Sequence, residues 1–153
     1  MTQEECKEET RKHIGRVGDL ISWFMMELGD RARAHDASKL EDPELSTFTE
    51  VTSRLRGLTY GSDEYKARLR EMKVALDHHY AHNRHHPEHH ERGVDDMTLV
   101  DLVEMLCDWR AATERHADGD IFKSIEHNTE RFGLSPQLAK ILRNTAEAFP
   151  ENV

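Results

Sequence analysis

The stretch from Asp77 to His90, DHHYAHNRHHPEHH, holds seven of the eleven histidines in this 153-residue chain. A neutral imidazole is the commonest protein ligand for a metal ion, and it also titrates near neutral pH. Three interpretations follow: a metal site, a pH-sensitive surface, or a compositionally biased stretch without chemistry. The choice depends on which other polar groups the chain brings to the same place.

Three carboxylates lie in an otherwise strongly apolar segment, LVDLVEMLCDWRAA from Leu99 to Ala112. The pattern predicts a helix, and a helix that is apolar nearly all round is normally buried. Asp101, Glu104 and Asp108 are spaced i, i+3 and i+7, so they share one face of it. Because a buried carboxylate is costly unless it is paired or bound to a metal, this face favours a metal centre. We expect Asp101 and Glu104 to orient ligating histidines.

Two further features stand apart from the packing stripes. His13 lies at the front of the first predicted helix, and the segment AHDASKL places His35 beside Asp36, with Lys39 three residues later. Imidazole and carboxylate ligands together suit Fe, Mn, Zn or Ni, and the carboxylates also suit Mg. The sequence thus predicts a site for a divalent ion.

The ordered set of His13, the His35-Asp36 doublet and Asp108 in MLCDWRAA resembles the HD-domain superfamily of metal-dependent phosphohydrolases. This resemblance implies a helical bundle in which the four residues hold one metal, while two histidines from the middle helices hold a second. The chain also resembles an uncharacterised family of small bacterial and phage-borne proteins, through LDHHYAHNRHHPEH and DLVEMLCDW. That second likeness covers most of the sequence and implies no particular activity.

Helix geometry selects among the clustered histidines. The fourth predicted helix has an inward stripe made of Leu69, Met72 and Leu76. His79 falls on the same face, whereas His78 points roughly opposite. After the chain turns, we favour His86 as the second ligand, with His85 close behind. About half of the cluster should be solvated or packing residues, because one centre cannot bind seven imidazoles.

The HD-domain resemblance implies hydrolysis of a small phosphate ester, with a nucleotide as the favoured substrate. In this hypothesis Asp36 bridges two ions and acts in catalysis with Lys39. Lys39, Arg84 and Arg115 are the positive groups available to a phosphate. The loop that follows Arg115 also contains His116, and the alternative for both residues is a simple helix-terminating turn.

Two other functions fit the same residues. Some HD-type centres hold two irons and activate dioxygen, and their ligands are the same as those of the hydrolases. The second alternative is a non-catalytic helical binding protein stabilised by a metal. Without a metal, His13 would be a surface or packing histidine, and Asp108 would pair with a neighbouring arginine.

The composition fits one helical domain. We predict an all-α, single-domain bundle of about six or seven helices, HD-like and spanning residues 1–153. The formal charge of −9 argues against general nucleic-acid binding. No apolar run approaches the roughly 20 residues that span a bilayer, and no signal peptide is visible. We therefore expect a cytoplasmic protein that acts on a small molecule and not at a membrane.

Turn residues mark the predicted helix ends. Gly29 should end the first helix, and a short second helix should cover Arg31 to Lys39. Asp42-Pro43 should begin the third, which Gly57 to Ser62 should interrupt. Thr98, Asp120 and Ser135-Pro136 precede the remaining helices, and Gly133 separates the last two.

A metal site built on imidazoles should weaken in acid. An imidazole must be neutral to bind a cation, so metal affinity should fall as the pH drops through about 6. Calorimetric titration of metal-free protein with Zn²⁺ between roughly pH 8 and pH 5 measures this. Constant affinity over that range would mean that carboxylates alone bind the ion.

Overall fold

The computed structural model of the chain describes residues 1–55, 63–115 and 117–150. Every regular element within these ranges is helical, and none of them is a strand. The six α-helices are α1 Gln3–Ala34, α2 Glu44–Leu55, α3 Asp63–His82, α4 Leu99–Thr113, α5 Ile121–Phe132 and α6 Pro136–Glu147. Short 3₁₀ helices cover Ala37–Leu40, Pro87–His89 and Gly93–Asp96. The prediction of an all-α bundle of about six or seven helices is confirmed.

Contacts divide the chain into two compact units, Met1–His35 and Asp36–Val153. The first unit consists of α1 and its flanking residues. α1 begins with a capping box, because Thr2 Oγ1 accepts from the Glu5 backbone N–H and the Glu5 carboxylate accepts from the Thr2 N–H. This exchange satisfies two of the N–H groups that a helix start leaves without intrahelical partners. The prediction that residues 1–153 form one domain stays a prediction.

α1 corrects two predicted boundaries. Gly29 does not end the first helix, which continues to Ala34. Two arginines and two alanines follow within five residues, and their helix propensity offsets the roughly 1 kcal/mol that a helical glycine costs. The short helix predicted over Arg31 to Lys39 is therefore wrong. The end of α1, a turn and the 3₁₀ helix Ala37–Leu40 take its place.

α2 and α3 pack against each other in the second unit. Asp42 precedes α2 as predicted, and its Oδ1 atom accepts a hydrogen bond from the Ser46 N–H at 3.1 Å. Val51 on α2 and Ala75 on α3 are buried. This pairing matters for the site, because α2 begins at Glu44 and α3 ends inside the histidine stretch.

α4, α5 and α6 share the main hydrophobic core. Its buried members are Met105, Leu106, Ile121, Ile125, Leu134, Leu142 and Ala146. The predicted turn residues fix the helix ends: Asp120 and Ser135 cap α5 and α6 through their side chains, and Gly133 ends α5 at a positive φ of 64°. A left-handed residue after a helix is the conformation that glycine adopts without strain.

α4 is less buried than its composition predicts. Val100, Met105 and Leu106 are buried, but Leu99 is 68% exposed and Val103 is 43% exposed. The expectation of a helix buried nearly all round is therefore wrong, and α4 buries one side. Among the described residues, no helix combines the length and the apolar character needed to cross a membrane.

Some predicted features lie outside the described residues. These are the helix break at Gly57 to Ser62 and the side chains of Leu55 and Leu69. The inward stripe of α3 is therefore represented by Met72 and Leu76, both partly buried.

Truncating the α4–α6 core should destabilise the protein. Ile125 is 1% exposed, so Ile125→Ala should lower the free energy of unfolding by about 2–5 kcal/mol through lost burial and a cavity. Ile141→Ala on α6 is the matched control, because Ile141 is 53% exposed and should cost less than about 1 kcal/mol. Urea denaturation followed by circular dichroism measures both. Equal losses would place Ile125 outside the core.

Candidate metal centre

Asp36 has a backbone conformation that few residues other than glycine adopt. Its φ of 53° and ψ of 16° lie in the left-handed region, which Asp and Asn tolerate better than other side chains. Lys39 holds this turn, since its Nζ atom donates to Asp36 Oδ2 at 2.6 Å and its backbone N–H donates to the Asp36 carbonyl. The other carboxylate oxygen, Oδ1, lies 3.3 Å from His79 Nε2 and 3.6 Å from His85 Nε2.

His79 reaches this point from the last turns of α3. Its side chain is 2% exposed, and its Nδ1 atom lies 2.9 Å from Glu44 Oε2 at the start of α2. Asn83, one turn later, donates to the His79 carbonyl and to the Ser38 hydroxyl, both at 2.8 Å. These bonds join the end of α3 to the turn that carries Asp36.

His85 lies beyond the end of α3 and is equally buried. Its Nδ1 atom is 3.1 Å from Glu104 Oε1, and its Nε2 atom is 3.8 Å from Asp108 Oδ2. Both carboxylates come from the face of α4 that the sequence predicted. The contact with Glu104 is of the kind expected for a residue that orients a ligating histidine.

His86 brings a third imidazole to the same place. Its Nε2 atom lies 2.9 Å from His79 Nε2. Burial lowers the pKa of His86 to about 3, and the nearby His85 and His79 rings act in the same direction. Burial also lowers the pKa of His79, helped by the Lys39 ammonium. At neutral pH both rings are therefore uncharged, the state that binds a cation.

The four groups have the spacing of a coordination shell. One ligand atom from each of Asp36, His79, His85 and His86 lies within 4.8 Å of the others. Ligand atoms about 2.1 Å from one ion lie about 3.0 Å apart at a right angle and about 3.4 Å apart at a tetrahedral angle. Three of the six separations among these atoms are 2.9, 3.3 and 3.6 Å, close to those values.

Proton placement favours a cation at this point. A carboxylate can only accept, so the Glu44 carboxylate, 2.9 Å from His79 Nδ1, favours a proton on that nitrogen. The Nε2 atom of His79 then carries a lone pair, which lies 3.3 Å from the Asp36 carboxylate oxygen. Acceptors held this close repel one another unless a positive ion lies between them.

Glu44 is a residue of the candidate site that the sequence did not reveal. It is fully buried, and its two oxygens lie 2.6 Å from His78 Nδ1 and 2.9 Å from His79 Nδ1. Burial raises the pKa of its carboxyl, but hydrogen bonds from His78, Ser38 and His79 outweigh this and hold the pKa below its usual range. The expectation that His78 points away from His79 is wrong, because both rings contact this carboxylate. The only sequence signal was an acid in the first turn of a helix, which is common.

The predicted ligands His13 and His35 lie far apart on one helix. His13 is within α1, and His35 directly follows its last residue, 22 positions later. At 1.5 Å per residue the helix separates them by about 33 Å. One chain therefore cannot bind a single ion through both, which corrects the predicted set of His13, His35, Asp36 and Asp108. Asp108 itself has a carboxylate oxygen within 4.8 Å of one from Asp36.

The contacts of Asp101 differ from those that the sequence predicted for it. Its carboxylate accepts from the Thr98 N–H and hydroxyl at 2.9 and 2.8 Å, which caps α4. The Arg84 guanidinium donates to both of its oxygens, at 3.3 and 3.2 Å. These bonds correct the proposed role of Asp101 in orienting a ligand, and they engage Arg84, which was predicted to bind a phosphate. Arg115 is exposed in the turn after α4, and His116 lies outside the described residues.

A cavity of about 460 Å³ adjoins the centre, which is within the size range of small-molecule sites. It is lined by Lys39, Phe48, Leu76, His79, Tyr80 and His86. Two of the four clustered side chains, His79 and His86, therefore face the cavity. An ion bound by the cluster would be accessible to a small molecule from this side.

The described part of the chain is all-helical and holds a cluster of imidazoles and a carboxylate, of which His79 and His85 are buried and Asp36 and His86 partly buried. The model described as "Family of unknown function (DUF5662)" matches residues 2–148. Because the match covers nearly the whole chain, the protein belongs to this family. No curated protein and no solved structure matches the chain. The resemblance to the HD-domain superfamily stays a prediction.

The capping role of Asp101 can be tested by stability alone. Asp101→Ala should lower the free energy of unfolding by about 1–3 kcal/mol, because it removes the α4 cap and the charged partner of Arg84. Glu126→Ala, at an exposed site on α5, should change stability by no more than about 0.5 kcal/mol. Urea denaturation measures both variants. A loss confined to metal binding, with stability unchanged, would restore the role first predicted for Asp101.

Proposed function

We propose that this protein is a metal-dependent hydrolase of small phosphate esters, with its ion held by Asp36, His79, His85 and His86. The observation that carries the proposal is the convergence of three imidazole nitrogens and one carboxylate oxygen within 4.8 Å. The separations between these atoms fit one ion, and two of the rings have a carboxylate behind them. Carboxylates in that position make imidazoles stronger and better oriented ligands.

The donor set narrows the choice of ion. Three imidazoles and one carboxylate suit Zn, Fe, Mn or Ni, whereas Mg prefers a shell of oxygen atoms. Asp108 offers a further carboxylate close to Asp36, so the same site has material for a second ion bridged by Asp36. We propose one ion as the minimal centre.

Phosphate ester hydrolysis suits the groups that surround the cluster. A bound divalent ion supplies a Lewis acid, which lowers the pKa of water and offsets charge on phosphoryl oxygens. Lys39, which lines the cavity, binds a phosphoryl oxygen other than the one nearest the ion. Asp108 accepts the proton of the attacking water as the new P–O bond forms. The ester P–O bond breaks, and that proton passes to the leaving alkoxide, so the products are an alcohol and phosphate.

The proposal predicts that the histidines contribute unequally to metal binding and activity. Protein purified without a histidine tag, stripped with chelator and reloaded with Zn²⁺ or Mn²⁺, should hold at least one ion per chain and hydrolyse phosphomonoesters. His86→Ala should lose that ion and the activity, because it removes one of four ligands. His127→Ala is the matched control, since His127 is exposed on α5. Elemental analysis and a phosphate-release assay over a broad ester panel measure the two effects.

Each part of the proposal can fail separately. An ion retained at full stoichiometry by His86→Ala would refute the ligand assignment. A loaded wild-type protein that releases no phosphate from any ester would refute the hydrolase. Oxygen uptake by the iron-loaded protein would instead support the dioxygen-activating alternative.

A further inference from the structure

The cavity beside the histidine cluster has a polar part and an apolar part. Its polar lining residues, Lys39, His79 and His86, all belong to the cluster or contact it: Lys39 Nζ is 2.6 Å from Asp36 Oδ2, and Asp36 Oδ1 is 3.3 Å from His79 Nε2. An ion and an ammonium group are therefore available to a phosphoryl group at the same point. Such a group is anchored there by charge, whatever the rest of the molecule is.

The remaining lining residues are apolar or aromatic. Leu76 and Tyr80 are one turn apart on α3, so they share a face, and Phe48 comes from α2. The Tyr80 ring centroid lies 5.1 Å from that of His86 and 6.0 Å from that of His79. The apolar surface therefore begins directly beside the histidine cluster. A group attached directly to the phosphate would contact it.

We infer that the phosphate esters taken by this site carry a compact apolar group, aromatic or branched aliphatic, in place of a nucleoside. The inference rests on the proposed function and adds the substrate class. It replaces the nucleotide that the sequence favoured. Phe48, Leu76 and Tyr80 bind the apolar group, while Lys39 and the ion bind the phosphate.

A nucleoside fits this cavity poorly for a physical reason. Where its sugar hydroxyls and base edges lie against Phe48, Leu76 and Tyr80, they lose contact with water and gain few hydrogen-bond partners, which is costly. Among the cavity-lining residues that the structure describes, the Tyr80 hydroxyl is the one hydrogen-bonding side-chain group outside the cluster and Lys39. A phenyl or branched alkyl group needs no such partner and gains by leaving water.

Binding of phosphonates tests the inference without requiring turnover. Metal-loaded protein is titrated calorimetrically with benzylphosphonate, methylphosphonate and the methylene phosphonate analogue of adenosine monophosphate. Benzylphosphonate should bind at least about tenfold more tightly than methylphosphonate, because its ring is buried against Phe48 and Tyr80. It should also bind more tightly than the nucleoside analogue.

Two substitutions separate the apolar surface from the phosphate anchor. Phe48→Ala should weaken benzylphosphonate about tenfold and leave methylphosphonate within about twofold. Val74→Ala is the control and should leave the preference unchanged, since Val74 is an apolar residue that is 65% exposed on α3 and does not line the cavity. Phe48→Leu keeps apolar volume at that position and replaces Phe48→Ala in the titrations if the alanine variant folds poorly. Metal content is measured on every variant, so that a damaged centre is recognised.

The outcomes distinguish a failure of this substrate class from a failure of the proposed hydrolase function. If benzylphosphonate and methylphosphonate bind equally, or if the nucleoside analogue binds most tightly, the substrate class is wrong and the hydrolase proposal stands. If loaded protein binds none of the three, the phosphate-ester function itself is contradicted. A tenfold preference that Phe48→Ala abolishes supports both.

Discussion

The histidine cluster depends on one buried carboxylate, that of Glu44. This side chain is 0% exposed, and its oxygens lie 2.6 and 2.9 Å from the Nδ1 atoms of His78 and His79. A carboxylate taken out of water is strongly unfavourable unless donors compensate it, so the two imidazoles and the acid require one another. The same contacts join the start of α2 to the end of α3. This one interaction thus contributes both to the packing of these two helices and to the orientation of His79.

The same principle recurs on the other side of the cluster. Glu104 on α4 lies 3.1 Å from His85 Nδ1, as Glu44 on α2 lies 2.9 Å from His79 Nδ1. Each acid contacts the Nδ1 side of its ring, so the Nε2 side of both rings lies toward Asp36. Three helices therefore contribute, while Asp36 itself stands on a left-handed turn held by Lys39. His79 is the one of the four clustered side chains that stands on a helix, so the contacts with Glu44, Glu104 and Lys39 hold the cluster across its turns.

Much of this arrangement could be predicted from helix periodicity, and the rest could not for identifiable reasons. His79 continues the inward stripe of α3, and Glu104 shares a face of α4 with Asp108. Both placements follow from the spacing of residues along a single helix. Periodicity ends where α3 ends at His82, so it could not rank His85 against His86. Glu44 lies 35 residues from His79, and no local rule connects positions so distant. Gly29 is typical of a helix end, but the alanines and arginines that follow it favour helix, so α1 continues to Ala34.

The density of histidines in one stretch has a second cause besides the cluster itself. Three that are not in the ligand set bond to backbone carbonyls of the same segment. His82 Nδ1 lies 2.8 Å from the carbonyl of His78, one turn earlier in α3. His89 and His90 lie 2.8 and 2.9 Å from the carbonyls of Tyr80 and Arg84. A chain that turns sharply after a helix exposes carbonyls without helical partners. The imidazoles of His89 and His90 supply that partner to the carbonyls of Tyr80 and Arg84, so some histidines hold the turn while others converge on Asp36.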